Sequence, residues 1–261
     1  MNGKRSRFQA LFNYLPAALV LAITFTIWEI SVVSFSIPSF ILPPPSGIFN
    51  ELIGARVEWT AHIIVTLYET LVGFALAFVL GVITAYLIVH YKVLANIIYP
   101  YILAAQIVPK VAVAPLLFIW LGFGELPKIL LAFLLAFFPI VIDTVVGLRS
   151  TDPDLIDMAR LLKAKPTQIF LHINLPSALP SIFGGMKVGM TLAIIGAIIG
   201  EFVGANKGLG FVIILAQQHF TTTIIFASLL LLIILGILLY LIIELAESII
   251  MPWYRKLKRL A

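Results

Sequence analysis

Six apolar windows, each about as long as a membrane-spanning helix, take up most of this 261-residue chain. A spanning helix needs roughly 20 mainly apolar residues, because the hydrocarbon core of a bilayer is about 30 Å thick. Windows of this kind lie at residues 14–34, 64–89, 94–121, 127–148, 178–200 and 223–248. Hydrophobic residues form 62% of the sequence and charged residues 11%, against about 45–50% and 25% in soluble domains. The sequence therefore predicts an all-α, polytopic membrane protein with six transmembrane helices and no soluble catalytic domain.

The basic residues predict the orientation, because Lys and Arg accumulate in cytoplasmic loops. With the amino terminus inside, three basic residues fall in outer segments, namely Arg56, Lys128 and Lys207. Twelve fall in inner segments: Lys4, Arg5, Arg7, Lys92, Arg149, Arg160, Lys163, Lys165, Arg255, Lys256, Lys258 and Arg259. The bias predicts a cytoplasmic tail at residues 1–13, a membrane domain at 14–250 and a basic cytoplasmic tail at 251–261 that attracts anionic lipid. It also explains the net charge of +5 without a nucleic-acid partner.

Small residues recur every four positions in two of the windows, which lets helix backbones approach closely where lipid provides no hydrophobic driving force. These residues are Gly73, Ala77, Gly81, Ala85, Gly196, Gly200 and Gly204. We expect packing within one subunit, in preference to a dedicated dimer interface.

A polar segment at residues 157–176 interrupts the apolar pattern. Asp152-Pro153-Asp154 is a typical helix start, with a capping carboxylate and proline at the first helical position. Apolar residues then recur at helical spacing, at Leu155, Met158, Ala159 and Leu162. Pro166 ends or bends this helix, and a second short turn carries Ile169, Phe170 and Ile173 into Leu175-Pro176. A helix of about ten residues is marginal alone in water, so we expect it to pack on its own membrane domain or on a partner.

The spacing in this segment resembles the cytoplasmic signature of the membrane subunits of binding-protein-dependent ABC importers. That signature is Glu-Ala-Ala, three residues, Gly, nine residues and Ile-x-Leu-Pro. Here Asp157-Met158-Ala159 takes the place of the triplet and Ile173-Asn174-Leu175-Pro176 forms the exit, with every interval kept. Lys163 replaces the glycine, which is the residue best able to adopt positive φ. Pro166 is therefore a candidate for the residue that ends this short helix.

The likeness covers residues 37 to 245. It includes the following segments: Ile41-Leu42-Pro43 with Pro45, Thr66 to Gly73, Gln106 to Leu116, Phe138-Pro139, Gly147-Leu148-Arg149, Ala178-Leu179-Pro180, Glu201 to Gly204 and Gly208-Leu209-Gly210. The chain is most similar to permeases for sulfonate, taurine and nitrate. Within that group, Gln106 to Ala112 and Phe226-Ala227 resemble permeases for riboflavin or the thiamine pyrimidine precursor.

This resemblance implies the type I ABC importer permease fold in a bacterial inner membrane. It implies as partners a cytosolic ATPase dimer, a second and identical permease subunit, and an extracytoplasmic solute-binding protein. The ATPases would grip the helix at 153–173 within a coupling loop at 149–177. The implied coupling residues are Asp154, Leu155, Asp157, Met158, Ala159, Leu162, Lys163, Ile173, Leu175 and Pro176. The chain contains no Gly-x-x-x-x-Gly-Lys-Ser/Thr phosphate loop, so we expect a transport subunit that is not itself an enzyme and holds no cofactor.

Ionisable residues at membrane depth are costly and are functional candidates by default. Lys110 is the first candidate for the translocation path, together with Gln106, because Pro109 and Pro115 are expected to interrupt its helix. Snorkelling or pairing with a carboxylate is an equally weighted alternative. Lys187 is a further path candidate, although snorkelling toward the cytosol is favoured. Glu201 lies beside a glycine-rich external turn, where a role as a gate or docking contact is slightly favoured over simple solvation. Three other acids are expected to be hydrogen-bond partners or near-interface groups: Glu29, Glu69 and Asp143.

Other functional classes stay open on the sequence alone. The four histidines do not form a ligand-spaced set, which predicts no metal site. An ion-gradient-driven secondary transporter or channel is the second hypothesis, and a membrane-embedded enzyme is the third. The sequence does not identify the solute, which is expected to be riboflavin or a thiamine pyrimidine precursor, or otherwise a sulfonate-, taurine- or nitrate-type anion.

Overall fold

The computed structural model describes residues 3–54 and 57–253, and this part of the chain contains helices and no strand. The helices are α1 Gly3–Ser34, α2 Pro45–Ile53, α3 Trp59–His90, α4 Lys92–Ile107, α5 Lys110–Leu121, α6 Glu125–Arg149, α7 Pro153–Leu161, α8 Pro166–Ile169, α9 Leu175–Gly204, α10 Leu209–Gln218 and α11 Thr222–Ile250. A π-helical turn at Phe170–Asn174 joins α8 to α9. The prediction of an all-α protein is confirmed. Arg56 and the basic tail from Tyr254 onward lie outside the described residues.

The described residues do not confirm the predicted number of spanning helices. Among the described residues, four helices are long and apolar enough to cross a bilayer: α3, α6, α11 and the continuous helix Pro166–Gly204. The count reaches five if α4 and α5 form one broken span. Within α1, the same measure finds only a shorter apolar stretch among the described residues, Ala18–Ser34. The multi-pass character is clear, but the count of six is not confirmed.

The window at 94–121 does not form one straight helix. The axes of α4 and α5 differ by 98° across a break at Val108 and Pro109. Both residues are extended, with ψ of 128° and 94°, because proline has no amide hydrogen and pushes the preceding residue out of the α region. Pro115, in contrast, lies inside α5. The expectation that both prolines interrupt the helix is right for Pro109 and wrong for Pro115.

The chain divides into two compact units, one formed by residues 1–59 and 212–230 and the other by residues 60–211 and 231–261. In the first unit, Glu29 of α1 accepts hydrogen bonds from the amide (3.0 Å) and hydroxyl (2.7 Å) of Ser46. Ser46 lies in the first turn of α2, where a carboxylate satisfies a free helical amide and is favoured by the helix dipole. This contact ties α1 to α2 and confirms Glu29 as a hydrogen-bond partner.

The second unit is built around α6, against which α3 and α9 pack at glycine positions. A β-carbon at Gly73 would lie 2.5 Å from Cβ of Ala132, and one at Gly196 would lie 2.6 Å from the Leu131 carbonyl oxygen. Only glycine allows these approaches, so the predicted packing within one subunit is confirmed at both sites. The core of this unit includes Phe74, Ala77, Ala132, Ala136, Ile140, Phe183, Met190, Ala193, Ile194 and Ala197.

Candidate functional site: the coupling segment and the polar groups in the spans

Helix α7 begins where the sequence predicts. The side chain of Asp152 accepts a hydrogen bond from the amide of Asp154 (2.9 Å), and Pro153 occupies the first helical position. The side chain thus satisfies one of the free amides at the helix start, while proline has no amide hydrogen to satisfy. These two local signals fix the start of α7 within the candidate coupling segment, residues 149–177.

Helix α7 ends in a Schellman motif with Lys163 in the left-handed conformation, at φ of +59°. The amide of Ala164 donates to the Ala159 carbonyl (3.0 Å), and the amide of Lys163 donates to the Arg160 carbonyl (2.9 Å). This pair of bonds defines the motif, in which glycine usually occupies the left-handed position. Lysine therefore adopts the geometry that glycine adopts more easily. Pro166 does not set the end of α7 but occupies the first position of α8.

The apolar residues of α7 are mostly exposed. The side chains of Leu155, Met158 and Leu162 are 45%, 56% and 75% exposed, while Ala159 is buried against the rest of the chain. Leu161 is 84% exposed and belongs to the same surface, although the sequence pattern does not single it out. Among the other predicted coupling residues, Asp154, Asp157 and Lys163 are also exposed. An exposed apolar surface flanked by charged residues is typical of a protein-docking site.

The predicted exit from the segment, Ile173 to Pro176, is helical and leads directly into α9. In the π-helical turn, the amide of Leu175 donates to the carbonyl of Phe170, five residues earlier. Proline cannot donate the usual helical hydrogen bond, and Pro176 stands at the start of α9, where a wider turn accommodates it. Ile173, Leu175 and Pro176 are half-buried. A displacement of α8 would thus be passed directly to α9.

An aromatic cluster attaches the segment to the C-terminal end of α3. The ring of Phe170 meets the rings of Tyr86 and His90 edge-on, at centroid distances of 5.1 and 5.5 Å. Tyr86 and His90 stack on each other at 4.0 Å. The sequence gives no sign of this contact, because its members lie about 80 residues apart along the chain.

Lys110 lies at the break between α4 and α5. Its ammonium donates to the Gln106 carbonyl (3.0 Å) and lies 4.8 Å from the centroid of the Phe138 ring. It thereby satisfies a carbonyl in the last turn of α4, where a cation is favoured. Among the described residues no carboxylate pairs with it, and its place in the path stays a prediction. Gln106, Pro109 and Pro115 are exposed beside it.

Lys187 of α9 is already paired. Its ammonium forms an ion pair with Glu247 of α11 and lies 5.5 Å from the centroid of the Tyr240 ring. Both charged side chains are only 14% exposed. The Glu247 carboxylate lies 60 residues away in sequence. Lys187 therefore pairs with an acid on a neighbouring helix, whereas the sequence favoured snorkelling toward the cytosol.

Glu201 is buried and holds the turn at residues 205–210, which we call the glycine turn. Its carboxylate accepts hydrogen bonds from the hydroxyl of Thr66 (2.6 Å) and the amide of Gly210 (2.5 Å). The Thr66 hydroxyl oxygen accepts from the amide of Leu209 (2.9 Å). Gly208, at φ of +122°, lies so close to the Glu201 carboxylate that a β-carbon would overlap it. Simple solvation of Glu201, one of the two expected alternatives, is therefore wrong.

Lys128 is placed differently from the sequence prediction. It lies inside α6, is 5% exposed, and forms an ion pair with the fully buried Glu69 of α3. Glu69 also interacts electrostatically with Glu201. Lys128 therefore does not belong to an outer loop, and Glu69 has the hydrogen-bonded role that the sequence predicts. We call Glu69, Lys128 and Glu201 the buried charge cluster.

Residues 77–256 match the family described as the binding-protein-dependent transport system inner membrane component. The chain belongs to this family.

Among curated relatives, the riboflavin transport system permease protein RibX of Chloroflexus aurantiacus is 38% identical, over 92% of this chain and 89% of that protein. The formylaminopyrimidine transport permease protein ThiX of Halalkalibacterium halodurans is 33% identical, over 94% of this chain and 98% of that protein. A solved structure described as inward-facing conformations of the MetNI methionine ABC transporter superposes with a TM-score of 0.65 at 21% identity. It covers 75% of this chain and 98% of that one. The similarity shows a shared fold.

Proposed function

We propose that this permease subunit forms one half of a translocation path and receives its energy from a cytosolic ATPase dimer that binds α7. The observation that carries the proposal is the exposed apolar surface of α7 on a short helix with polar flanks. A second, identical permease subunit completes the path, and an extracytoplasmic binding protein delivers the solute. Under this proposal the protein lies in a bacterial inner membrane with both termini and the coupling segment in the cytosol, as the distribution of basic residues favours.

The coupling residues divide into two groups by exposure. Leu155, Met158, Leu161 and Leu162 offer apolar contacts to the ATPase, with the exposed charges of Asp154, Asp157 and Lys163 around them. Ala159, Ile173, Leu175 and Pro176 are buried or half-buried and hold the segment on the membrane domain. ATP-driven movement of the ATPases would act on the first group and be carried into α9 by the second.

The break between α4 and α5 is the proposed lining of the path. Non-helical backbone at membrane depth is tolerated only where it is covered by protein or lines an aqueous cavity. Val108 and Pro109 are exposed in the single chain, so the second permease subunit or the path must cover them. Lys110 and Gln106 would then present a cation and an amide to the solute.

The solute we propose is riboflavin or a thiamine pyrimidine precursor, and otherwise a sulfonate-, taurine- or nitrate-type anion. The names of the two relatives favour the heteroaromatic class. Lys187 and Lys128 are neutralised by Glu247 and Glu69, which leaves Lys110 as the candidate cation of the path among the described residues.

The proposal is tested by co-purification of the chain with an ABC ATPase from the same genome. Met158→Glu places a charge in the centre of the apolar surface and should weaken ATPase binding at least about tenfold, which corresponds to about 1.4 kcal/mol. Val93→Glu is the matched control, because it adds the same charge at a 70% exposed position of α4 outside the coupling segment. Membrane insertion of both variants should be normal. Normal ATPase binding by Met158→Glu would refute the proposal.

A further inference from the structure

The buried charge cluster contains two carboxyl groups and one cation. Glu69 and Glu201 are 0% and 1% exposed, and Lys128 is 5% exposed. With all three side chains ionised, the cluster would carry one uncompensated negative charge. Burying such a charge is costly, and a carboxyl group in this position takes up a proton instead. The balance of charges is therefore one positive charge short.

The other charged side chains of the neighbouring elements do not supply this charge. On α9, Lys187 lies 14 residues before Glu201, roughly 21 Å along the helix, and pairs with Glu247. Lys110 of α5 binds a carbonyl in the last turn of α4, and Lys207 of the glycine turn is exposed. Helix α10 contains no charged residue.

The imidazole of His62, on α3, does not supply the charge either. Its Nδ1 accepts a hydrogen bond from the Gly208 amide (3.0 Å). An imidazolium has two donors and no acceptor, so a ring that accepts this bond is neutral. His62 is therefore a neutral partner of the glycine turn in this structure.

The acceptor atoms show where the charge is missing. One oxygen of Glu69 binds Lys128, whereas the other, Oε2, is buried and accepts no hydrogen bond from the described residues. The carboxyl groups of Glu69 and Glu201 lie within hydrogen-bonding reach of each other. Two ionised carboxylates in such contact repel each other and have no hydrogen to share. A proton between them would remove the repulsion and provide the missing donor.

The hydrogen bonds of Thr66 can accommodate the same proton. Its hydroxyl oxygen lies 2.6 Å from Oε1 of Glu201, 3.2 Å from the His62 carbonyl oxygen and 2.9 Å from the Leu209 amide nitrogen. The amide donates, and the one hydroxyl hydrogen can fully serve only one of the two oxygens. A protonated Glu201 would donate to Thr66, whose own hydrogen would then bind the His62 carbonyl. Each of the three contacts then has its own hydrogen.

Close packing around the cluster favours a proton over a larger cation. A β-carbon at Gly200 would lie 2.8 Å from Cγ of Lys128, and one at Gly210 would lie 2.8 Å from Oε2 of Glu201. A β-carbon at Gly208 would overlap the Glu201 carboxyl group. Among the described residues, no three His, Asp or Glu side chains are grouped to hold a metal ion. Backbone this close to the cluster leaves little space for a hydrated ion, whereas a proton needs none.

We infer that the buried charge cluster binds one proton, which the carboxyl groups of Glu69 and Glu201 share. With this proton the cluster is neutral, because the remaining negative charge is balanced by Lys128. The proton also completes the hydrogen bonds through which Thr66 holds the glycine turn on α3. Its loss would leave a buried negative charge beside that turn. The inference goes beyond the proposed function and does not depend on the ATPase.

Infrared spectroscopy of the chain at neutral pH, in a detergent without ester groups, detects such a proton directly. A protonated carboxylic acid has a carbonyl band that shifts in heavy water and that an ionised carboxylate lacks. The difference spectrum between wild type and Glu201→Gln should contain this band, because Glu69 then pairs with Lys128 and no proton is shared. Glu69→Gln should also remove the band. Glu125→Gln is the control and should leave it unchanged, since Glu125 is exposed on the same helix as Lys128.

The pH dependence of unfolding provides a second measurement. In the unfolded chain both carboxyl groups are ionised above about pH 5, whereas the native chain keeps one proton. Unfolding then releases a proton, so raising the pH favours unfolding. Relative to Glu201→Gln, the equilibrium constant for unfolding of the wild type in mixed micelles should rise about tenfold per pH unit, until the native chain releases the proton. Below about pH 5 the difference should level off, because the unfolded chain is protonated as well.

The two measurements also define the results that would overturn the inference. A wild-type spectrum without a carboxylic-acid band would do so, and so would equal pH profiles of the wild type and Glu201→Gln. A wild type that is stabilised by sodium ions and lacks the band would assign the missing charge to a bound cation. If Glu201→Gln does not fold, Glu69→Gln provides both comparisons, and the wild-type spectrum decides alone if neither variant folds. A chain that shows the proton but binds no ATPase would refute the proposed function and retain the inference.

Discussion

At the scale of single residues, Lys163 takes the place of the glycine in the family signature, and the helix end keeps the geometry that glycine usually adopts. The sequence predicts the start of α7 correctly, because Asp152 and Pro153 act within one turn of the helix. The end is not predicted, because Lys163 gives no sign of the left-handed conformation that it adopts. Two hydrogen bonds from Lys163 and Ala164 hold it there. They offset a cost of roughly 1–2 kcal/mol for a left-handed residue with a side chain.

Replacing Lys163 by glycine should stabilise the coupling segment, because glycine adopts the left-handed conformation without steric cost. We expect a gain of about 1 kcal/mol in the local stability of α7, measured by amide hydrogen exchange of residues 154–162 in detergent or nanodiscs. Lys165→Gly is the control, since Lys165 is extended, at φ of −69°, and gains nothing from glycine. Equal protection of α7 in the wild type and in Lys163→Gly would contradict the Schellman geometry.

At the scale of elements, hydrophobic windows predict where helices lie but not how they break or join. The break at Pro109 and the continuity of α8 with α9 depend on which backbone amides and carbonyls form hydrogen bonds. Pro109 breaks its helix, whereas Pro115 and Pro180 lie inside theirs. The pairing of Lys128 with Glu69 is hidden for a different reason. Its members are 59 residues apart, and the single sequence shows only a lysine close to the end of a window.

The ion pair between α3 and α6 should be sensitive to the loss of one partner. Lys128→Met leaves Glu69 buried without its cation and should lower the stability by about 3–5 kcal/mol, whereas the double variant with Glu69→Gln should recover much of that loss. Thermal unfolding of the detergent-solubilised chain measures both effects.

Arg160→Met provides a control for the loss of a cation at the surface. Arg160 and Asp157 form an exposed pair, at 68% and 66% side-chain exposure, and such pairs contribute about 1 kcal/mol or less. A Lys128→Met protein as stable as the Arg160→Met protein would show that the buried pair does not join the two helices.

At the scale of the whole molecule, two exposed parts of the described structure carry the proposed function. One is the apolar surface of α7, and the other is the break between α4 and α5, where Val108 and Pro109 are exposed. The resemblance to the family signature implies a docking role for the first. The break is expected from Pro109, but its 98° bend follows only from the structure, because an apolar window does not specify an angle. The identity of the solute is harder still to predict from this chain, because a separate binding protein would select the solute.

ATP-dependent uptake measures the central proposal most directly. The complete complex, reconstituted into liposomes with ATP inside and the solute-loaded binding protein outside, should accumulate riboflavin or the pyrimidine precursor. Uptake should stop when ATP is omitted and should not be restored by a proton or sodium gradient. Accumulation driven by such a gradient in liposomes that contain this chain without an ATPase would contradict the proposal and establish a secondary transporter.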